Sequence, residues 1–247
     1  MAYQAVFKRY ELKYLLTRPQ QQRILEAMVS RMEPDAYGRT TIRNIYFDTD
    51  NYRLIRRSIE KPMYKEKLRI RSYSQATPDS PVFVELKKKY DGIVYKRRLS
   101  MKESQAMAWI CLGGSPPENN QIAREIDYFL HFYEGLKPAV FLSYEREAYF
   151  CKHGSDFRAT FDDTILCRQS NLSLELPPGG DAILPEGMAI MEIKCSGGIP
   201  LWMTHVLTEN KIHRTPYSKY GVAYENLIFP KEKGGFQYAR YDFPRSV

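Results

Sequence analysis

Five short segments of this chain place charge at alternate residues: Glu11-Leu12-Lys13, Arg69-Ile70-Arg71, Glu85-Leu86-Lys87, Lys96-Arg97-Arg98 and Glu192-Ile193-Lys194. In a β-strand residues i and i+2 share a face, so each pair points to one side. The opposite side of four of these strands is apolar, through Leu68 and Ile70, Val84 and Leu86, Tyr95 and Leu99, and Met191, Ile193 and Cys195. Two arrangements satisfy the pattern: an ordinary sheet with one wet face, or a barrel whose lumen carries the charge. Repetition of the device on five strands, mostly with basic residues, points to a cavity built for a polyanion.

The residue types define the chemistry available there. The basic set is Lys13, Arg69, Arg71, Lys87, Lys96, Arg98, Arg146 and Arg158. Arginine forks match phosphate oxygens bidentately, and lysine supplies a compact point charge. Unit charges ~4 Å apart interact by ~4 kcal/mol at an effective dielectric of ~20, so a lumen crowded with cations calls for an anion. The carboxylates Glu11, Glu85, Glu145, Glu147, Asp162 and Glu192 are interleaved with them. Together with phosphate oxygens they would suit a hard ion such as Mg²⁺ or Mn²⁺. Tyr217-Ser218-Lys219-Tyr220 adds a helix start, a hydroxyl and an ammonium. Of the four histidines only His213 lies near that segment.

Strands and a few helices must position these groups. Alternation predicts strands over 4–16, 41–48, 64–74, 81–89, 93–100, 138–151, 156–163, 165–176 and 188–195. Thr17 is expected to cap a helix over 20–32, and Asp50 to cap a short helix carrying Tyr52, Leu54 and Ile55. Ser100-Met101-Lys102-Glu103 reads as a capping box for a helix to about Leu112. Further helices are expected over 119–134, closed by Gly135, over 200–211, and from a Ser218 cap to Ile228. Asp91-Gly92 is a tight-turn dipeptide, so three strands follow one another as a meander.

Composition narrows the class. With 247 residues, 43% hydrophobic and 27% charged, the chain can bury a substantial core, and its net charge of +8 favours an anionic partner. Cys111, Cys151, Cys167 and Cys195 have no C-x-x-C spacing, which argues against a zinc or redox motif and for a reducing compartment. With no leader-like run and no 18-residue apolar stretch, a cytoplasmic chain without a membrane span is expected. The tyrosines and phenylalanines fall mostly on apolar faces, so core packing explains them better than base stacking.

The ordered series FKRYELKYLL, IRNIYFDT, LRIRSY, FVELKKK, YKRRL, LSYEREAY, FRATFDDT, MEIK and YSKY runs from Phe7 to Leu227. It resembles the VTC-type polyphosphate polymerase domain of the triphosphate tunnel metalloenzyme (CYTH-like) superfamily. The resemblance implies an α+β fold, an antiparallel eight-stranded closed tunnel β-barrel with a charged lumen, flanked by helices. A single domain over 1–229 and a charged tail over 230–247 are expected. The implied activity is metal-dependent transfer of the γ-phosphate of ATP to a growing inorganic polyphosphate chain running through the tunnel. Arg69, Arg71, Arg146 and Lys87 would be catalytic. Lys13, Lys96, Arg98, Tyr144, Arg158, Ser218 and Lys219 would bind substrate phosphates, and Glu192 would hold Mn²⁺ or Mg²⁺. Pro216 departs from the pattern, since some relatives carry a basic residue near it.

Alternatives are a tripolyphosphatase or nucleoside triphosphatase of the same superfamily and a non-catalytic polyphosphate-binding module. Nucleic acid is disfavoured as a partner, because carboxylates in the same strands would repel its backbone. The sequence leaves open the metal and base preference, the product length, the oligomeric state and any membrane-protein partner.

Overall fold

The computed structural model describes residues 10–91, 93–152 and 154–232. The expected strand residues 4–9, the glycine of the Asp91-Gly92 turn, His153 and the tail from 233 lie outside the described residues.

In chain order, β1 (Tyr10–Thr17), α1 (Arg18–Met28), β2 (Met32–Pro34), β3 (Thr40–Asp48) and α2 (Arg53–Ile59) come first. The meander β4 (Tyr64–Ser72), β5 (Pro81–Tyr90) and β6 (Ile93–Lys102) leads into α3 (Glu103–Leu112) and α4 (Gln121–Phe132). Then follow β7 (Lys137–Cys151), β8 (Arg158–Arg168), β9 (Asp181–Ala182), β10 (Met188–Cys195) and α5 (Leu201–Glu209). Finally α6 (Lys219–Ala223) continues through a π-helical stretch, Tyr224–Ile228, into α7 (Phe229–Glu232).

One antiparallel sheet holds the strands in the order β1-β10-β8-β7-β3-β4-β5-β6, with β2 paired to β7 and β9 to β8. The α+β class and the eight-strand path agree with expectation. Closure and strand number do not: the sheet has ten strands, and among the described residues no backbone ladder joins β1 to β6. Side chains cross that seam instead, with the Lys87 ammonium of β5 2.7 Å from the Glu11 carboxylate of β1.

Alternation decides what faces outward. Leu68, Ile70, Val84 and Leu86 pack with Trp109 and Ile110 of α3 and with Ala123, Ile126 and Phe129 of α4. Phe161, Met191 and Ile193 pack with Ile24 and Met28 of α1 and with Met203 and Leu207 of α5. Burial of each such side chain contributes about 1.5–3 kcal/mol. A third cluster is internal: Ile42, Tyr46, Tyr144 and Ile190 surround Tyr217, Tyr220, Val222, Ala223 and Tyr224. The last part of the chain therefore fills the inside of the rolled sheet with its own helix.

Local differences from expectation have local causes. Helix α1 stops at Met28, because Met32 is drawn into a short strand beside β7. Its start is as expected, with Thr17 and Gln20 bonding reciprocally. Asp50 does not cap α2. The Asp48 carboxylate accepts from the Leu54 and Ile55 N–H groups, while Asp50 pairs with Lys137. Strand β6 runs on through Lys102, whose N–H is taken by the Gln105 side chain, so Ser100 opens no helix. The strands expected at 156–163 and 165–176 form a single strand ending at Arg168, with a kink where Thr164 adopts φ +46°.

Candidate functional site

The inner face of the sheet is built by register. Lys13 stands opposite Glu192, Glu192 opposite Thr160, and Asp162 opposite Arg146. On the other wall Tyr46 stands opposite Arg69, Arg69 opposite Glu85, Glu85 opposite Arg98, and Lys87 opposite Lys96. Cross-strand partners face the same side, so these ladders bring the charges of seven strands into one space.

Glu85 is almost fully buried and organises one wall. Arg69 binds it through Nε at 2.8 Å, Lys96 through Nζ at 2.6 Å and Arg98 through Nε at 2.7 Å. Burial pushes its carboxyl up, but Arg69, Arg71, Lys96 and Arg98 outweigh this and hold it well below the usual carboxylate range. Asp162 does the same on the facing wall, fully buried between a two-pronged Arg146 (2.6 and 2.7 Å) and Lys219. Its carboxyl, raised by burial, is brought down to about 2 by those two cations. Arg71 has neutral partners: Nε donates to Asn44 at 2.8 Å and Nη2 to the Tyr144 hydroxyl at 2.9 Å. Burial raises the Tyr144 hydroxyl, yet Arg71, Arg146 and Lys219 bring it down to about 8.

Cations still outnumber carboxylates here. Lys13, Lys67, Arg69, Arg71, Lys87, Lys96, Arg98, Arg146 and Lys219 share Glu11, Glu85, Asp162 and Glu192. Burial, with Lys219 and Lys87 nearby, lowers Lys13 to about 8 despite Glu192. Burial and the surrounding Lys13, Lys65, Lys87 and Arg69 bring Lys67 to about 7.

The floor of this space comes from the segment that enters it. Lys13 Nζ donates to the Tyr217 carbonyl at 2.8 Å, and Lys67 Nζ to the Ser218 hydroxyl at 3.0 Å. Ser218 also caps α6 by accepting from the Gly221 N–H at 3.2 Å. A Cβ at position 221 would stand 3.1 Å from that of Ser218, so this close turn favours glycine. Tyr220 stacks on Tyr46 at 5.0 Å and donates its hydroxyl to Asp48.

One carboxylate of the inner face is suited to a metal. Glu192 is buried and held ionised: burial pushes its carboxyl up, but Lys194, Lys13, Arg146 and Lys87 outweigh this. Lys194 approaches it at 3.0 Å. Across the ladder the Thr160 hydroxyl is buried without a hydrogen-bond partner among the described residues. Among the described residues no three His, Cys, Asp or Glu side chains cluster as a ligand cage. One carboxylate and a hydroxyl fit a hard ion that takes its remaining ligands from phosphate and water, and do not fit a zinc cage.

Most expected site residues meet here: Lys13, Arg69, Arg71, Lys87, Lys96, Arg98, Tyr144, Arg146, Lys219, Ser218 and Glu192. Arg158 lies at the start of β8, opposite Lys194 and 4.1 Å above the Phe150 ring. Glu145 and Glu147, grouped above with the interleaved carboxylates, turn to the outer face and flank Arg39 with Asp163. Arg97 and Lys88 also point outward, to Glu125 of α4. His213 is exposed. Sequence reading passed over Lys67, Asn44, Tyr46 and Thr160. Alternation along Lys65, Lys67, Arg69 and Arg71 is the signal that finds Lys67.

A sequence model of the VTC domain family matches residues 8–228. No curated protein matches this chain. Among solved structures, a Bacillus halodurans protein provisionally described as an adenylate cyclase superposes with a TM-score of 0.52 at 15% identity. That match covers 87% of this chain and 96% of that one. A Hippeastrum protein, described as an adenylyl cyclase candidate with dominant triphosphatase activity, gives a TM-score of 0.48 at 15% identity, covering 87% and 94%. At such identities the first of these likenesses speaks for the fold alone.

Proposed function

This chain belongs to the VTC domain family of the triphosphate tunnel superfamily, and on that footing we propose that it is a metal-dependent polyphosphate polymerase. It would move the γ-phosphate of ATP onto the end of an inorganic polyphosphate chain. The observation that carries this reading is the surplus of cations on the inner face, which Glu11, Glu85, Asp162 and Glu192 leave uncompensated. A chain of phosphates supplies the missing charge, in oxygens that arginine forks recognise.

Phosphoryl transfer asks the protein for in-line positioning and neutralisation of oxygen charge rather than for a covalent partner. In this reading Arg69, Arg71, Arg146 and Lys87 neutralise the transferred group and the leaving diphosphate. Glu85 and Asp162 hold the arginines at fixed angles before substrate arrives, so reorganisation costs little in the transition state. Lys13, Lys96, Arg98, Tyr144, Arg158, Ser218 and Lys219 bind the flanking phosphates. Glu192, with Thr160 beside it, would hold Mn²⁺ or Mg²⁺, which when bound supplies further charge neutralisation on the phosphates.

The test is incubation of purified protein with ATP and Mn²⁺ or Mg²⁺, followed by gel resolution of the phosphate products. Chains far longer than triphosphate are expected. Orthophosphate alone would make the protein a hydrolase, and polyphosphate binding without turnover in either metal would make it a binding module.

A further inference from the structure

Most cations of the inner face have a carboxylate in contact: Arg69, Lys96 and Arg98 have Glu85, Arg146 and Lys219 have Asp162, and Lys87 has Glu11. Lys67 does not. Among the described residues the Lys67 ammonium makes one hydrogen bond, to the Ser218 hydroxyl at 3.0 Å, and no carboxylate lies within ion-pair distance. An ammonium has three donors, so two remain for a ligand. Beyond it the way is blocked, because Lys67 Nζ stands 5.9 Å from the Tyr220 ring, which is buried against Tyr46. An unsatisfied cation at a closed floor meets whatever part of the ligand reaches that floor.

We infer that Lys67 is a substrate-binding residue that recognises the free end of the phosphate chain, taking the terminal phosphate at its ammonium beside the Ser218 hydroxyl. The inference rests on the proposed phosphate-chain reading and adds to it a preference for ends. A terminal phosphate carries up to two negative charges and three non-bridging oxygens, whereas an internal one carries a single charge and two. Lone charge and spare donors at the floor therefore select linear substrates over cyclic or internally presented ones.

Linear tripolyphosphate and cyclic trimetaphosphate separate the two cases, since both are inorganic triphosphates and only the first has ends. Calorimetric titration at one fixed salt concentration would be run on the parent, Lys67→Met and Ser218→Ala. Lys67→Met should weaken linear tripolyphosphate about tenfold or more, the worth of a charged hydrogen bond, and trimetaphosphate by less than about threefold. Ser218→Ala, which keeps the ammonium, should give a smaller loss again confined to the linear ligand. Lys67→Met removes an uncompensated cation, so without ligand it should melt no lower than the parent. Equal losses for both ligands, or none, would overturn end recognition while the parent's binding upholds the phosphate-chain reading. A parent that binds neither triphosphate would overturn both.

Discussion

Glu192 on β10 and Thr160 on β8 stand directly opposite each other, and the buried Thr160 hydroxyl has no hydrogen-bond partner among the described residues. An unsatisfied buried hydroxyl costs about 1–3 kcal/mol, a cost repaid if a ligand's oxygen or a metal's water meets it. Glu192→Ala should abolish metal-dependent turnover while thermal unfolding stays cooperative. Thr160→Val should raise the metal concentration for half-maximal activity several-fold with unfolding unchanged or later, since a costly hydroxyl is gone. Unaltered metal dependence in both variants would move the role to Glu11 or Glu85.

Among the described residues Asp162 is the sole carboxylate contact of both Arg146 and Lys219. Asp162→Asn leaves two buried cations facing each other, and breaking such a pair costs about 3–5 kcal/mol. The pH dependence has a definite sign. With the folded pKa brought down to about 2, the stabilisation is fully present above the ordinary carboxylate pKa of about 4 and is lost as pH falls towards 2. Chemical denaturation of parent and variant from pH 6 to pH 2.5 should show a gap that narrows with acid. A constant gap would place the effect elsewhere.

Lys67 titrates with the same sign in a higher pH range. Its folded pKa of about 7 lies below that of an unfolded lysine near 10.4, so the unfolded chain holds the extra proton between these values. Stability of the ligand-free protein should rise across that range, and tripolyphosphate affinity should fall across it as the ammonium is lost. Melting curves at several pH values, with and without tripolyphosphate, read both trends. Affinity that climbs with pH would contradict the assignment.

Arg71 offers its guanidinium to Asn44 and Tyr144 at once, a fork that lysine cannot reproduce. Arg71→Lys should retain charge and fold yet lower kcat/KM about ten- to a hundredfold, the loss of one or two charged hydrogen bonds. Steady-state kinetics with ATP decides it, and a change below threefold would reduce Arg71 to bulk charge.

Much of this was legible in advance, and the reason is the period of two. Leu68 and Ile70 could pack against helices only if Arg69 and Arg71 faced the other way, and they do. The same rule, applied strictly, sends Glu145 and Glu147 away from Arg146, where they meet Arg39. Failures came where tertiary partners chose between equivalent residues. Asp48 and Asp50 are equally good caps by type, and only the approach of α2 and Tyr220 selects Asp48. Sheet closure depends on how two edge strands meet, which no local pattern encodes.

Lys13 and the Tyr217 carbonyl that it holds are separated by 204 positions in the chain. The first strand pairs with the tenth, and the interior is completed by residues beyond Tyr217. During synthesis the meander β4–β6 can form early, but its charged side then stands without the opposite wall. Entropy must be spent on these long loops before the contacts that reward it exist, which sets a slow clock of milliseconds to seconds. Stopped-flow refolding should show the internal tyrosines burying late, after the meander has collapsed onto α3 and α4. This protein becomes a container only when its last helices arrive.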